Sequence, residues 1–384
     1  MAYKKRILET TIKDYLHSFP IVGITGPRQS GKSTLLQNLL KNYTYVSFDD
    51  IQMRNFFAED PIGFMEQYDD KVIFDEVQKV PDLFNMLKIA VDKKRQQYGR
   101  YVVTGSSQFK FVRHISESLA GRIGLLSLLP FQFSELPKKS LQKISIYKGS
   151  YPELVMRKYQ ADKSWYSSYI DTYVNKDLYD ISNIGNLRDF QRFLRLLAIN
   201  TSRILNLSNY ASDLGVSVPT IKNWISVLEA SYIIFLLPSY HKNYGKRIIK
   251  SPKIYFYDTG LVSYLTAIKT QEQFIKGPMC GSIFENYIIS EIMKNHLHNK
   301  TDAELFYYRA SNGEEVDLIV EYNNCKDLIE IKHSSTSKTS MFETIKKIIE
   351  PKDNGYLLYN GKEFAYAKNI KSINYKTYLE KVNF

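Results

Sequence analysis

Ile21-Val22-Gly23-Ile24-Thr25 runs directly into Gly26-Pro27-Arg28-Gln29-Ser30-Gly31-Lys32-Ser33-Thr34, and Leu35, Leu36, Leu39 and Leu40 follow at helical spacing. This is a strand, a loop fitting G-x-x-x-x-G-K-[ST], and an amphipathic helix. Glycines at 26 and 31 let the backbone close around phosphate groups and present N–H donors. The helix beginning near Lys32 points its positive end at the same anion. Lys32 is placed to reach the β- and γ-phosphates of a nucleotide, and the Ser33 hydroxyl to ligate magnesium. A chance glycine-rich turn would not be framed by strand and helix in this way.

Working outward, Val72-Ile73-Phe74-Asp75-Glu76 is an apolar strand ending in two carboxylates. Such an ending is common at a sheet surface. Downstream of a phosphate loop it predicts Asp75 holding magnesium and Glu76 orienting the attacking water. The strand Tyr101–Thr104 enters Gly105-Ser106-Ser107, where the hydroxyl of Thr104 or Ser106 contacts the γ-phosphate or that water, or simply caps the next helix. Together with strands at 43–48 and 123–129, these elements alternate with helical stretches and predict βαβ units and a parallel sheet.

The chain of 384 residues is longer than one core usually serves. Hydrophobic residues at 44% and charged ones at 24% are ordinary for a globular protein. Fifty-two Lys and Arg against 40 Asp and Glu leave a net charge of +12, which favours a polyanionic partner. Two cysteines, Cys280 and Cys325, with no CxxC or Cys/His cluster, exclude a disulfide framework and a zinc site. The first ten residues lack the apolar core of a signal peptide, and no apolar run is long enough for a bilayer span, so a cytoplasmic, non-membrane protein is expected.

Residues 140–205 read as helix interrupted by a turn at 149–152. The segment Tyr210-Ala211-Ser212-Asp213-Leu214-Gly215-Val216-Ser217-Val218-Pro219-Thr220-Ile221-Lys222-Asn223-Trp224 then has helix-turn-helix spacing. Ala211 allows close helix approach, Gly215 makes the turn and Ile221 packs beneath the second helix. Lys242, Lys246, Arg247, Lys250 and Lys253 follow between two apolar strands, as on a basic wing. Two uses fit: duplex DNA contact by the 217–223 helix and the wing lysines, or a rigid spacer that senses nucleotide state. Asp258-Thr259 is expected to cap a helix starting at Gly260.

Near the C-terminus, Glu285 lies on a helix over 283–297, Asp317 on a strand at 316–320, and Glu330 and Lys332 at the end of a strand at 328–332. A hairpin about Asn323-Asn324 brings Asp317 beside Glu330 and Lys332. Carboxylates and a lysine converging there could hold a second divalent metal.

The order of phosphate loop, Asp-Glu strand and polar strand end resembles an AAA+ ATPase. Arg122, in Leu119-Ala120-Gly121-Arg122, stands where that resemblance implies an arginine finger acting on a neighbouring subunit in a homo-oligomer; a local salt bridge is the alternative. With Gly149-Ser150-Tyr151-Pro152 added, the chain resembles a family of prokaryotic ATPases in which an AAA-type domain precedes a winged helix and a nuclease-like C-terminal domain. The last part resembles the PD-(D/E)xK nuclease superfamily, with Asp317, Glu330 and Lys332 on its core positions and Glu285 as the helical carboxylate, although Val316 stands where a proline is common.

The expected fold is therefore α/β multidomain: an AAA+/P-loop NTPase parallel sheet over 1–138, a helical connector over 139–205, a winged helix over 206–270 and a PD-(D/E)xK-like α/β domain over 275–384. The expected nucleotide-binding residues are Gly26, Pro27, Arg28, Gln29, Ser30, Gly31, Lys32, Ser33 and Thr34, with ATP and Mg2+ as ligands. Two functions fit: a DNA-associated, ATP-hydrolysing machine with a nuclease-like module, or an ATP-switched signalling or scaffold ATPase whose inert C-terminal domain binds protein partners.

Overall fold

The structure is a computed structural model that describes residues 3–105, 119–172, 186–241 and 251–381. The chain packs into two bodies. One comprises residues up to Phe131 with Ala230–Tyr232 and Leu297–Lys300; the other takes the rest.

In the first body, α1 (Leu8–Ser18) leads to β1 (Ile21–Thr25), α2 (Lys32–Leu39), β2 (Thr44–Ser47), α3 (Ile51–Glu59), α4 (Pro61–Gln67), β3 (Val72–Asp75), α5 (Leu83–Lys93), β4 (Tyr101–Thr104) and β5 (Ile123–Ser127). The strands form one parallel sheet in the order β2-β3-β4-β1-β5. Their near-continuous apolar character is what a sheet covered on both faces requires. Side-chain alternation sorts them into two cores. Ile21, Val72, Phe74, Tyr101 and Val103 pack with Phe48, Phe57, Phe64 and Phe84, while Val22, Ile24, Ile73 and Val102 pack with Leu8, Ile12, Leu35 and Leu36. The carboxyl ends of β1, β3 and β4 therefore lie together where open α/β sheets bind ligands.

In the second body, α6 (Lys139–Lys148), α7 (Pro152–Met156), α8 (Asp162–Tyr169) and α9 (Leu187–Ile199) precede α10 (Leu207–Leu214) and α11 (Val218–Ala230). Gly215 ends α10 in the left-handed region at φ 68°, the conformation glycine adopts without cost, and Ala211, Ile221 and Trp224 are buried, the Trp224 ring against Phe190 and Phe193 of α9. The antiparallel pair β6 (Ile234–Leu237) and β7 (Lys253–Phe256) follows. Asp258 caps α12 (Thr259–Leu265), which starts one residue before the expected glycine, and Asp258 also accepts from the Ser150 N–H and the Tyr166 hydroxyl.

After α13 (Gln271–Lys276) and α14 (Cys280–Asn299) come β8 (Glu304–Arg309), β9 (Glu315–Tyr322), β10 (Cys325–Ile331), α15 (Glu343–Ile348), β11 (Asn354–Tyr359), β12 (Phe364–Ala367), β13 (Ile370–Asn374) and α16 (Tyr375–Lys381). Beyond the expected strands at 316–320 and 328–332, a six-stranded mixed sheet forms in the order β12-β13-β11-β10-β9-β8. The β9–β10 hairpin turns at Asn323 and Asn324, both at positive φ, which short polar side chains tolerate. Among the described residues no helix is long and apolar enough to cross a membrane.

Candidate active site

The loop after β1 is bent by residues in the positive-φ half of conformational space: Gly26 at 140°, Gln29 at 62° and Gly31 at 93°. A Cβ on Gly26 would lie 2.1 Å from the Leu128 carbonyl oxygen, so only glycine fits there. Gly31 opens α2 with no side chain capping its N–H groups, which leaves that end to accept an anion. Lys32 is buried, and its Nζ donates to the carbonyls of Gly26 and Pro27, both at 3.0 Å. Burial pushes its pKa down to about 8 despite the nearby carboxylates of Glu76 and Asp75. Ser30 is fully buried, and its hydroxyl has no hydrogen-bond partner among the described residues. An orphaned hydroxyl, uncapped helical N–H groups and an under-compensated ammonium fit a phosphate chain.

Asp75 ends β3 nearly buried and organises its surroundings. It accepts from Ser33 Oγ at 2.7 Å, from the Tyr45 hydroxyl and from Thr104 Oγ1. Burial and the Asp75 carboxylate push the Tyr45 pKa up to about 12, which keeps it a proton donor. The next residue, Glu76, is held left-handed at φ 56°, a costly conformation for a non-glycine residue that turns its carboxylate, hydrogen-bonded by Gln78 Nε2, out of the strand register. Thus Lys32, Ser33, Asp75, Glu76 and Thr104 are gathered at the carboxyl end of the sheet's inner strands. Ser106 lies outside the described residues.

Arg122 is held elsewhere. Its Nε and Nη2 fork onto Asp92 at 2.7 and 2.9 Å, and Nη1 donates to the Ala120 carbonyl at 3.1 Å, so within the chain it makes the local ion pair.

Three contributors escaped the sequence reading. Arg6, in the polar N-terminal stretch, is buried and donates to the carbonyls of Ser30 at 3.0 Å and Leu129 at 2.6 Å, bracing the phosphate loop from behind. Tyr45 is one of 30 tyrosines and carries no motif. Tyr232 is left-handed at φ 56°, and its hydroxyl bridges Thr25 Oγ1 at 2.6 Å and Ser127 Oγ at 2.9 Å, at the very end of β1. No sequence signal connects a residue at 232 to one at 25.

In the second body the C-terminal carboxylates do converge. The β9–β10 register pairs Leu318 with Ile329 and sets Asp317 beside Glu330. Asp317 Oδ2 accepts from the Ile331 N–H at 2.8 Å, and Lys332 Nζ lies 2.6 Å from Glu330 and 3.6 Å from Asp317. Glu285 accepts from the Tyr255 hydroxyl at 2.8 Å and from Lys253 Nζ at 3.2 Å. Burial, then the Asp317 charge, raises the pKa of both Glu285 and Glu330.

Lys253 corrects the wing reading. It is not exposed on a basic loop but 3% exposed on β7, paired with Glu285 and Glu315. A buried ammonium needs counter-charges, and although burial lowers its pKa, Glu285, Asp317 and Glu315 outweigh that and raise it. Lys242, Lys246, Arg247 and Lys250 lie outside the described residues. Among the described residues no three Asp, Glu, His or Cys side chains converge as a metal cage would, so the expected second metal finds no support.

Comparison with known proteins agrees with the first body's geometry. Residues 18–137 match the AAA domain family, 140–272 a domain of unknown function (DUF8612) and 280–378 another (DUF4143). An uncharacterized protein of Mycobacterium tuberculosis is 28% identical over 341 residues, covering 88% of this chain and 76% of that one. An uncharacterized protein of Methanocaldococcus jannaschii is 22% identical over 386 residues, covering 91% and 83%. Among solved structures, the chain is similar to a Walker-type ATPase of Pyrococcus abyssi, with a TM-score of 0.50 and 15% identity over 69% of this chain and 96% of that one. These likenesses agree with an AAA-type, P-loop fold for the first body.

Proposed function

We propose that this chain hydrolyses ATP with magnesium at the carboxyl end of the parallel sheet, through Lys32, Ser33, Asp75, Glu76 and Thr104. The observation carrying this reading is that Asp75 joins Ser33 and Thr104 directly beside the phosphate loop. When bound, magnesium would supply positive charge against the charge of the phosphate oxygens. Gly26 to Thr34 wrap the phosphates with backbone N–H groups. Lys32 exchanges two neutral carbonyl partners for phosphate oxygens, a stronger, charge-assisted contact. Ser33 and Asp75 hold the metal and its water. Glu76, turned out of register, orients the attacking water, and Thr104, with Ser106 as second candidate, fixes the far side of that water or of the γ-phosphate. Lys32→Ala is expected to lose both nucleotide binding and phosphate release, whereas Glu76→Gln keeps binding and loses release. Turnover persisting in purified Lys32→Ala refutes the site.

For the second body the geometry favours the signalling or scaffold reading over nuclease chemistry. Two ammonium groups, Lys253 and Lys332, already pair with the carboxylates that a catalytic metal would need. The PD-(D/E)xK-like core then serves as a binding platform. Under Mn2+, wild type and Asp317→Ala should leave supercoiled DNA equally intact; nicking by wild type that Asp317→Ala abolishes would restore the nuclease. Duplex DNA contact by α11 is a separate proposal, supported by the net charge and by exposed Ser217 just before α11 and exposed Lys222 and Asn223 on it. Salt-dependent binding that a Lys222→Ala, Asn223→Ala variant retains in full would count against it.

A further inference from the structure

A cavity of about 420 Å³ opens in the second body among α6, α8, α9 and α12, well apart in sequence from the phosphate loop and from the carboxylate cluster. That volume lies within the range of small-molecule sites. Its walls are rings: Tyr147, Tyr166 and Tyr264 line it, with the Tyr166 and Tyr264 rings stacked at 5.9 Å between centroids. Ile170, Leu194 and Ile268 supply apolar surface between them.

Two observations point to an occupant. Ser263, on α12, is 2% exposed and lines the cavity, yet its hydroxyl has no hydrogen-bond partner among the described residues. A buried hydroxyl left unmatched is destabilising, and a ligand acceptor would recover that loss. The charges lining the cavity are also uneven. Lys148 and Asp162 neutralise each other at 2.9 Å. That leaves Lys163, Arg195 and Lys269, all exposed, against Asp171, which accepts from Ser167 Oγ at 3.4 Å.

We propose that this cavity binds a small aromatic anion: a planar one- or two-ring body carrying a carboxylate, sulfonate or phosphate. The ring lies against the tyrosine faces, where offset and edge contacts between aromatics are favourable. A polar atom of the ligand takes the Ser263 hydroxyl, and the anionic group faces Lys163, Arg195 and Lys269. A cationic ligand would meet a surplus of like charge, and a neutral one would leave the three cations unused.

The test uses the full chain and two fluorescent probes of similar shape, the anionic 8-anilinonaphthalene-1-sulfonate and the uncharged N-phenyl-1-naphthylamine. Wild type should bind the sulfonate saturably, one per chain and tighter than the neutral probe. Lys269→Glu, an exposed change, should weaken the sulfonate at least tenfold and leave the neutral probe within about twofold. Ser263→Met, which fills the cavity, should abolish both, and a Ser263→Ala variant keeps the test decisive should the methionine variant fail to fold, by weakening the sulfonate threefold or more. Lys32→Ala should bind both probes as wild type does. Sulfonate binding unchanged in Lys269→Glu and Ser263→Ala, or lost in Lys32→Ala, overturns the proposal.

Discussion

The phosphate loop and the C-terminal carboxylate cluster are built from the same kinds of side chain, lysine beside Asp and Glu, yet they are in opposite electrostatic conditions. Lys32 is bonded to neutral carbonyls and burial drags its pKa down to about 8. Lys253 and Lys332 are each bonded to carboxylates that outweigh burial and drive their pKa values up. An under-compensated ammonium gains by meeting a phosphate. One already paired gains nothing and must give up an ion pair first. Readiness for chemistry therefore lies in which charges are left unsatisfied, not in which residues are present.

The comparison breaks most visibly at Lys253. Replacing the buried Lys253 with Met leaves Glu285 and the partly exposed Glu315 without their cation, and a loss of roughly 3–5 kcal/mol is expected in denaturant unfolding. If the cluster's cations stand in place of a metal, Mn2+ should raise the variant's midpoint and leave that of wild type unmoved; an unaltered midpoint in the variant without metal would show that Lys253 is not structural. Next comes Gly26→Ala. Its Cβ would strike the Leu128 carbonyl from a positive-φ backbone, so a loss of about 2–3 kcal/mol with nucleotide affinity down at least tenfold is expected by thermal unfolding and calorimetry.

A smaller effect sharpens the Lys32 side. Below pH 8 the free protein carries a charged Lys32, so ATP affinity should be flat. Above pH 8 binding must take up a proton, and affinity should fall by up to about tenfold per unit, as one pKa unit equals about 1.4 kcal/mol. Calorimetry in two buffers of different ionisation enthalpy would detect that uptake at pH 8.5, and its absence would place Lys32 above the range given. Smallest is the surface Arg122–Asp92 pair: Asp92→Asn should leave the denaturant midpoint close to that of wild type. If Arg122 also acts in trans, mixing Arg122→Ala with Lys32→Ala subunits recovers turnover; no recovery in a co-assembled mixture leaves the local pair as its whole role.

Much of the first body was legible because its determinants are local. β1 and β4 span the expected Ile21–Thr25 and Tyr101–Thr104, since short apolar runs bounded by glycine or proline have few other solutions. The helix pair around Gly215 was readable for the same reason: spacing and one left-handed glycine specify it. Arg6 was not legible, because what makes it part of the site is a carbonyl 24 residues away and another 123 residues away. Nor was Lys253, whose neighbours in sequence are basic and whose neighbours in space are acidic.

The sequence alone determined the phosphate loop, its flanking strand and helix, and the Asp75-Glu76 strand end, because each is encoded by residues within a turn or two of one another. Tertiary structure alone decided that Asp75 would bind Tyr45 and Thr104, that Tyr232 would brace Thr25, and that a supposed wing lysine would be buried among carboxylates. Pairing of that kind depends on which surfaces are desolvated together, and burial is a property of the packed chain rather than of any one segment of it.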